Sequence, residues 1–193
     1  LYRDRVAGRA STLPGLPVQY RDFARWQREW LQGEALTRQL DYWRSHLAGA
    51  PQVLDLPTDR PRPPMESHRG ARYSFVIPHE LSEALGALAR REGTTLFMVL
   101  MAAFAILLRR HTGQEDLLVG TPVANRGRTE LEGVLGPFLN TLVIRSDLTG
   151  NPTVRELLAR VRNICLNAYA HMELPLEMLV EDDRLRERVG RTA

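Results

Sequence analysis

The chain contains no lysine; all 26 of its basic residues are arginine. Arginine codons are GC-rich and lysine codons AT-rich, so this absence marks a GC-rich bacterial genome rather than a function. There is one cysteine, Cys165, which excludes a disulfide within the chain. No stretch resembles a signal peptide, and a cytoplasmic setting is expected. Aromatics are few, at 7%. The longest apolar run, residues 96–108, falls short of the roughly 20 residues that a membrane-spanning helix needs. No glycine loop is built to cradle phosphate, no cysteine–histidine spacing suits a metal, and no Gly-x-Ser-x-Gly turn presents a nucleophile. The five histidines are scattered, and no two are adjacent.

Basic residues outnumber acidic ones only 26 to 23, and the two signs are interleaved, as in Arg3-Asp4-Arg5 and Arg184-Leu185-Arg186-Glu187-Arg188. Nucleic-acid binders gather basic charge on one face. Dispersed charge of this kind solvates a surface, so neither nucleic acid nor membrane is an expected partner. With 193 residues, 44% of them hydrophobic, the chain can bury a core of its own as a single domain.

Periodicity supplies the elements. Tyr20, Phe23, Ala24, Trp30 and Leu31 share a helical face over residues 20–31, and Leu36, Leu40, Trp43 and Leu47 share the next, with Gly49 placed as a cap. Residues 50–70 are rich in proline and read as an extended crossing within the domain. Residues 73–77 alternate like a strand. Leu81, Leu85 and Leu88 mark a helix that stops at Gly93, and the run 96–108 predicts a helix buried on most sides. Residues 117–124 and 138–145 read as strands about a polar loop. Asn151 and Pro152 open a long helix through Ala168, and Pro175 precedes a short one. The class is α/β, with a small mixed sheet packed by helices, thin for so many helices.

Four motifs carry a resemblance. Tyr20-Arg21-Asp22-Phe23-Ala24-Arg25-Trp26-Gln27 resembles the Tyr-x-Asp-Phe-Ala-x-Trp motif of the condensation domains of nonribosomal peptide synthetases. Val119-Gly120-Thr121-Pro122-Val123-Ala124-Asn125-Arg126 is similar to their Val-Gly-Thr-Pro-x-Ala-Asn-Arg segment, and Leu135-Gly136-Pro137-Phe138-Leu139-Asn140-Thr141 to Gly-x-Phe-Val-Asn-Thr. His171-Met172-Glu173-Leu174-Pro175-Leu176-Glu177 resembles His-Gln-Asp-x-Pro-Phe-Glu, with Met172, Glu173 and Leu176 departing from it. Gly190-Arg191-Thr192-Ala193 looks like the opening of a last motif.

The resemblance implies one lobe of a two-lobe, chloramphenicol-acetyltransferase-like fold, with residues 1–193 as its C-terminal part, truncated at both ends. The family's His-His-x-x-x-Asp-Gly segment is absent from this chain, so no catalytic residue and no metal is assigned, and the chain alone is expected to be inactive. Carrier proteins would deliver phosphopantetheine arms to a tunnel between the lobes, where an amine attacks a thioester to form an amide. Trp26, Asn140 and Thr141 are implied as tunnel lining, with ordinary helix packing the alternative for Trp26. Asparagine is unusual in a strand, which favours a role for Asn140. Arg145, with Arg25 as rival, is implied as partner to a carboxylate of the other lobe, or else as a surface arginine, and His171 is a further candidate. Two other readings stay open: a partial domain serving as spacer or carrier-protein docking module, and a related epimerisation or heterocyclisation domain or coenzyme-A-dependent acyltransferase. A lobe without its upstream partner is expected to self-associate through Trp26, Phe138 and Leu142.

Overall fold

The computed structural model describes residues 2–10, 15–61, 65 and 70–182; the charged tail and the 190–193 motif lie outside them. A short helix α1 (Tyr2–Val6) leads to α2 (Tyr20–Trp30) and α3 (Gly33–Leu47). After the crossing come α4 (His79–Arg91) and α5 (Leu96–Thr112). Strands β1 (Asp116–Val123) and β2 (Asn140–Asp147) follow, separated by a 3₁₀ turn at Thr129–Leu131, and then α6 (Val154–Ala170) and α7 (Leu176–Glu181). Among the described residues no single helix is long and apolar enough to cross a membrane.

Local chemistry sets the boundaries. Thr95 caps α5 by accepting from the Met98 amide, and Gly113 closes it at φ +72°, which a side chain would disfavour. Thr153 and Glu156 form a reciprocal capping box at the start of α6, with the Thr153 amide donating to Glu156 Oε2 at 2.8 Å.

β1 and β2 pair antiparallel, Leu117 opposite Ser146, Val119 opposite Ile144 and Thr121 opposite Leu142. Those residues form the inner face, against which α5 and α6 pack, with α4 laid on α5. The core joins Trp43 and Leu47 of α3, Met98, Ala102 and Ala105 of α5, Leu117, Leu142 and Ile144 of the hairpin, and Leu157, Val161 and Cys165 of α6. A second cluster stands apart: Phe23, Leu131, Val134 and Phe138, with Val18, Tyr20 and Trp26 around it.

Four expectations need correction. Residues 73–77 form no regular element and enter no ladder, and Tyr73 and Val76 are 88% and 90% exposed; alternation gives strand propensity, but a strand needs a neighbour to pair with. The hairpin is therefore the whole sheet among the described residues, and it is antiparallel rather than mixed. Helix α5 is not buried on most sides, since Leu96, Phe97, Leu100, Phe104 and Leu107 stay exposed along one flank. Within α3, Trp43 and Leu47 are buried while Leu36 and Leu40 only border the core.

Candidate functional site

Asn140 opens β2 with its side chain buried against the turn between α6 and α7. Its Nδ2 donates to the Met172 carbonyl at 2.7 Å and the Leu174 carbonyl at 2.8 Å. Its Oδ1 accepts from the amides of Thr141 at 2.8 Å and Leu176 at 3.1 Å. An asparagine amide has two donor hydrogens and two acceptor lone pairs, so every one is engaged within the protein. The expectation that Asn140 offers a free polar group to a tunnel is corrected. It bolts the 171–176 turn to the hairpin, which accounts for asparagine at a position where strand propensity disfavours it. Thr141 is half-buried on the opposite face, its methyl against Gly120, and serves through its backbone.

Facing that turn is the aromatic side of α2. Tyr20 meets Phe138 edge-on at 5.2 Å, Phe23 lies 4.7 Å from Phe138, and Trp26 stacks on Trp30 at 5.8 Å. The Tyr20 hydroxyl donates to the Pro137 carbonyl at 3.2 Å, its ring filling the space over Gly136 where a Cβ would sit. From the other side comes the 125–128 loop, turned by Asn125 at φ +47°, a conformation asparagine tolerates better than most residues. Arg126 holds the loop down. Its Nη1 donates to the Leu131 and Val134 carbonyls, and its guanidinium lies 4.1 Å from the Phe138 ring centre.

Between α2, this loop and the 171–174 turn lies a cleft of about 230 Å³, lined by Phe23, Trp26, Gln27, Asn125, Gly127, Arg128, Leu131, Met172 and Glu173. Gln27 Nε2 donates to the Glu173 carbonyl at 3.3 Å, tying α2 to the turn. A second cleft of about 350 Å³, with Val18, Asp22 and Glu130 at its edge, shares Phe23, Trp26, Arg128 and Leu131 with the first. The Arg128 guanidinium lies over the Trp26 ring, 4.5 Å from its centre. The cleft thus joins an aromatic floor to several donors and acceptors, a lining suited to an elongated, amide-bearing chain.

Other candidates lie elsewhere. Arg145 finds its carboxylate inside this chain: Nε donates to Asp116 Oδ1 at 2.9 Å and Nη2 to Oδ2 at 2.7 Å. Its Nη1 caps the end of α3 through the carbonyls of His46 at 2.8 Å and Ala48 at 2.9 Å. The implied partner in another lobe is replaced by Asp116. Arg25 is a surface residue paired with Glu29 one helical turn on. His171 ends α6, its Nδ1 2.8 Å from the Asn167 carbonyl and its ring stacked 3.8 Å from that of Tyr42. Phe138 and Leu142 are buried in this chain's own cores, so neither is open to a second copy; only Trp26 of that expected seam is partly exposed.

The Tyr42 ring lies nearly parallel to both the His171 ring, 3.8 Å away, and the His46 ring, 5.6 Å away. Burial pushes its hydroxyl up to about 12 and the Cys165 thiol up to about 11, while burial lowers the His46 imidazole. The Tyr42 hydroxyl and the Cys165 thiol therefore stay protonated near neutral pH. Among the described residues no cluster of histidine, cysteine and carboxylates could hold a metal ion. Sequence patterns missed Gln27, Arg126 and Arg128. Gln27 and Arg126 lie inside two of the motifs and Arg128 just beyond one, but without the fold nothing said that those motifs meet.

The family model for the condensation domain matches residues 1–193. One of the linear gramicidin synthase proteins of Brevibacillus parabrevis is 54% identical over 189 residues, 98% of this chain and 4% of that protein. Phosphinothricin tripeptide synthetase PhsB of Streptomyces viridochromogenes is 50% identical over 182 residues, 94% of this chain and 15% of that protein. Among solved structures, the X-domain from teicoplanin biosynthesis superposes with a TM-score of 0.84 at 32% identity, covering 93% of this chain and 41% of that one. It is also found in a complex with OxyB. The first condensation domain of the CDA synthetase shares the fold, with a TM-score of 0.73 at 23% identity over 94% of this chain and 39% of that one. The chain therefore spans a small part of its curated relatives and about two fifths of these solved domains.

Proposed function

Because the chain belongs to the condensation-domain family, we propose that its Trp26 cleft is one wall of the channel in which a nonribosomal peptide synthetase joins two carrier-borne aminoacyl groups. Condensation domains are acyltransferase-type enzymes that make peptide bonds. The observation that carries this reading is convergence. Three motif segments far apart in sequence, on α2, the 125–128 loop and the 171–174 turn, line one cleft. They are held there by Asn140, Arg126 and Gln27.

The expected ligand is the phosphopantetheine arm of a partner carrier protein, which would present the thioester; its polar, amide-bearing length suits the lining. Gln27, Asn125 and Glu173 would meet its amides, and the Trp26 face would exclude water from its apolar stretches. The chain itself contributes alignment and water exclusion rather than proton transfer. It has no adjacent histidine pair, and the histidines nearest the turn are engaged in stacking. An upstream lobe of the same domain would supply the His-His-x-x-x-Asp-Gly segment, in a cytoplasmic synthetase.

Titration of the 193-residue chain with 4′-phosphopantetheine, followed by amide NMR, tests the reading. Shifts confined to Trp26, Gln27, Asn125, Glu173 and the adjoining Arg128, and abolished by Trp26→Ala, are expected; a spectrum unmoved at millimolar 4′-phosphopantetheine overturns it. The chain alone should form no dipeptidyl product from two loaded carrier proteins. Adding the histidine-bearing lobe as a separate polypeptide should restore turnover.

A second reading, a docking module without chemistry, draws support from likeness to the X-domain. If the restored pair of lobes binds carrier proteins yet makes no amide, that reading replaces the first.

A further inference from the structure

Arg128 lies exposed in the 125–128 loop, and its guanidinium makes no hydrogen bond or ion pair among the described residues; the Trp26 ring 4.5 Å away is what it meets. It is also one of four residues common to both clefts, so the Trp26–Arg128 pair forms the partition between them. The other shared residues, Phe23 and Leu131, are fixed in the aromatic cluster. Arg128 is thus the movable half of the partition. Acidic residues line both clefts, Glu173 the first and Asp22 and Glu130 the second. Of these, Asp22 is engaged by the Gln19 amide at 2.9 Å.

We propose that Arg128 is a phosphate-responsive shutter. Resting on Trp26 it keeps the two clefts apart, and drawn away by a phosphate group it joins them into one continuous groove. The proposal rests on the reading of this cleft as a wall for a phosphate-bearing arm, and it deepens that reading by naming the residue that admits the arm. The direction follows from relative strengths. An exposed guanidinium gains little from an aromatic face, whereas a paired, charge-assisted contact with phosphate oxygens is substantially stronger. An anion entering a groove edged by three carboxylates is repelled unless a free cation receives it, and Arg128 is placed to do so. The phosphate then lies at the mouth, and the uncharged remainder of the ligand passes over the uncovered indole.

The readout is acrylamide quenching of the 193-residue chain's fluorescence, with Trp26→Phe identifying the Trp26 contribution. Without ligand, Arg128→Ala should raise the Trp26 quenching constant about twofold, and Arg128→Gln less, with the melting temperature unchanged as a check on folding. Inorganic phosphate, which draws Arg128 away and leaves the indole bare, should produce the same rise in the wild type. 4′-Phosphopantetheine, whose uncharged length then covers the indole, should instead lower the Trp26 quenching constant, and pantetheine at the same concentration should leave it unchanged. Unchanged quenching in Arg128→Ala overturns the shutter, as does a wild type whose quenching inorganic phosphate does not raise. A fall with pantetheine equal to that with 4′-phosphopantetheine overturns phosphate as the trigger and leaves the carrier-arm reading standing, whereas no effect of either compound on Arg128→Ala, where the indole is already uncovered, overturns that reading.

Discussion

Replacing Asn140 with alanine removes four hydrogen bonds at once and leaves the carbonyls of Met172 and Leu174 and the amides of Thr141 and Leu176 to find other partners. Each bond contributes about 0.5–1.5 kcal/mol net, and each group left buried without a partner costs about 1–3 kcal/mol. The turn is only half-buried at Met172 and Leu176, so water can reach part of the gap. A loss of about 3 kcal/mol is expected, a large share of a typical total of about 5–15 kcal/mol. In a domain of this size that lowers the melting temperature by about 6–12 °C. Circular dichroism gives the melt, and hydrogen exchange at the Leu176 amide reports the turn itself, which should open before the hairpin does. Asn140→Asp should be no better at neutral pH, because a carboxylate would face two carbonyl oxygens, but should recover as acid protonates it. A melt of Asn140→Ala within about 3 °C of wild type, with Leu176 exchange unchanged, would refute the bolt.

Gly136→Ala should cost about 1–3 kcal/mol, because the new methyl would sit 2.6 Å from Cγ of Tyr20; a double-mutant cycle with Tyr20→Ala should recover part of that loss. Burial lowers the His46 imidazole in the fold, so the unfolded chain binds its proton more readily. Stability present above pH about 6.5 is therefore lost as pH falls below it, and His46→Gln should flatten urea midpoints measured between pH 7.5 and 5. Ser146→Ala should be neutral or stabilising by up to about 1 kcal/mol in the same assay, because the Ser146 hydroxyl is fully buried with no hydrogen-bond partner.

Helices were legible because their signals are local. The spacing of apolar residues, Thr95 before α5 and Gly113 after it all act within one turn; α6 was found too, but it is the Thr153–Glu156 box that opens it rather than the expected Asn151 and Pro152. What depends on a distant neighbour was not legible. Residues 73–77 alternate correctly yet pair with nothing among the described residues. The uniform run of α5 concealed which flank is covered, since a helix apolar all round carries no phase. Arg145 needed a carboxylate, but only the register that sets Leu118 opposite it brings Asp116 within reach. Asn140 was noticed for the right reason, its misfit with a strand, and given the wrong role, because three of its four partners lie 32 to 36 residues further on. The cleft itself followed from motifs whose meeting only the fold reveals.

The aromatic cluster of Phe23, Leu131, Val134 and Phe138 is small and separate from the main core. A group of four buried side chains resists opening far less than the larger core does, and regions of low local stability open well before global unfolding. The cleft proposed as a recognition surface is therefore mounted on the weaker of two foundations. Warming or mild denaturant would blur the cleft while the hairpin and its helices keep their shape, so its geometry is lost at temperatures where bulk spectroscopy still reports a folded chain. The same separation leaves sequence change free to remodel the cleft through residues such as Val18 and Leu131 without disturbing the packing on which the rest of the chain depends.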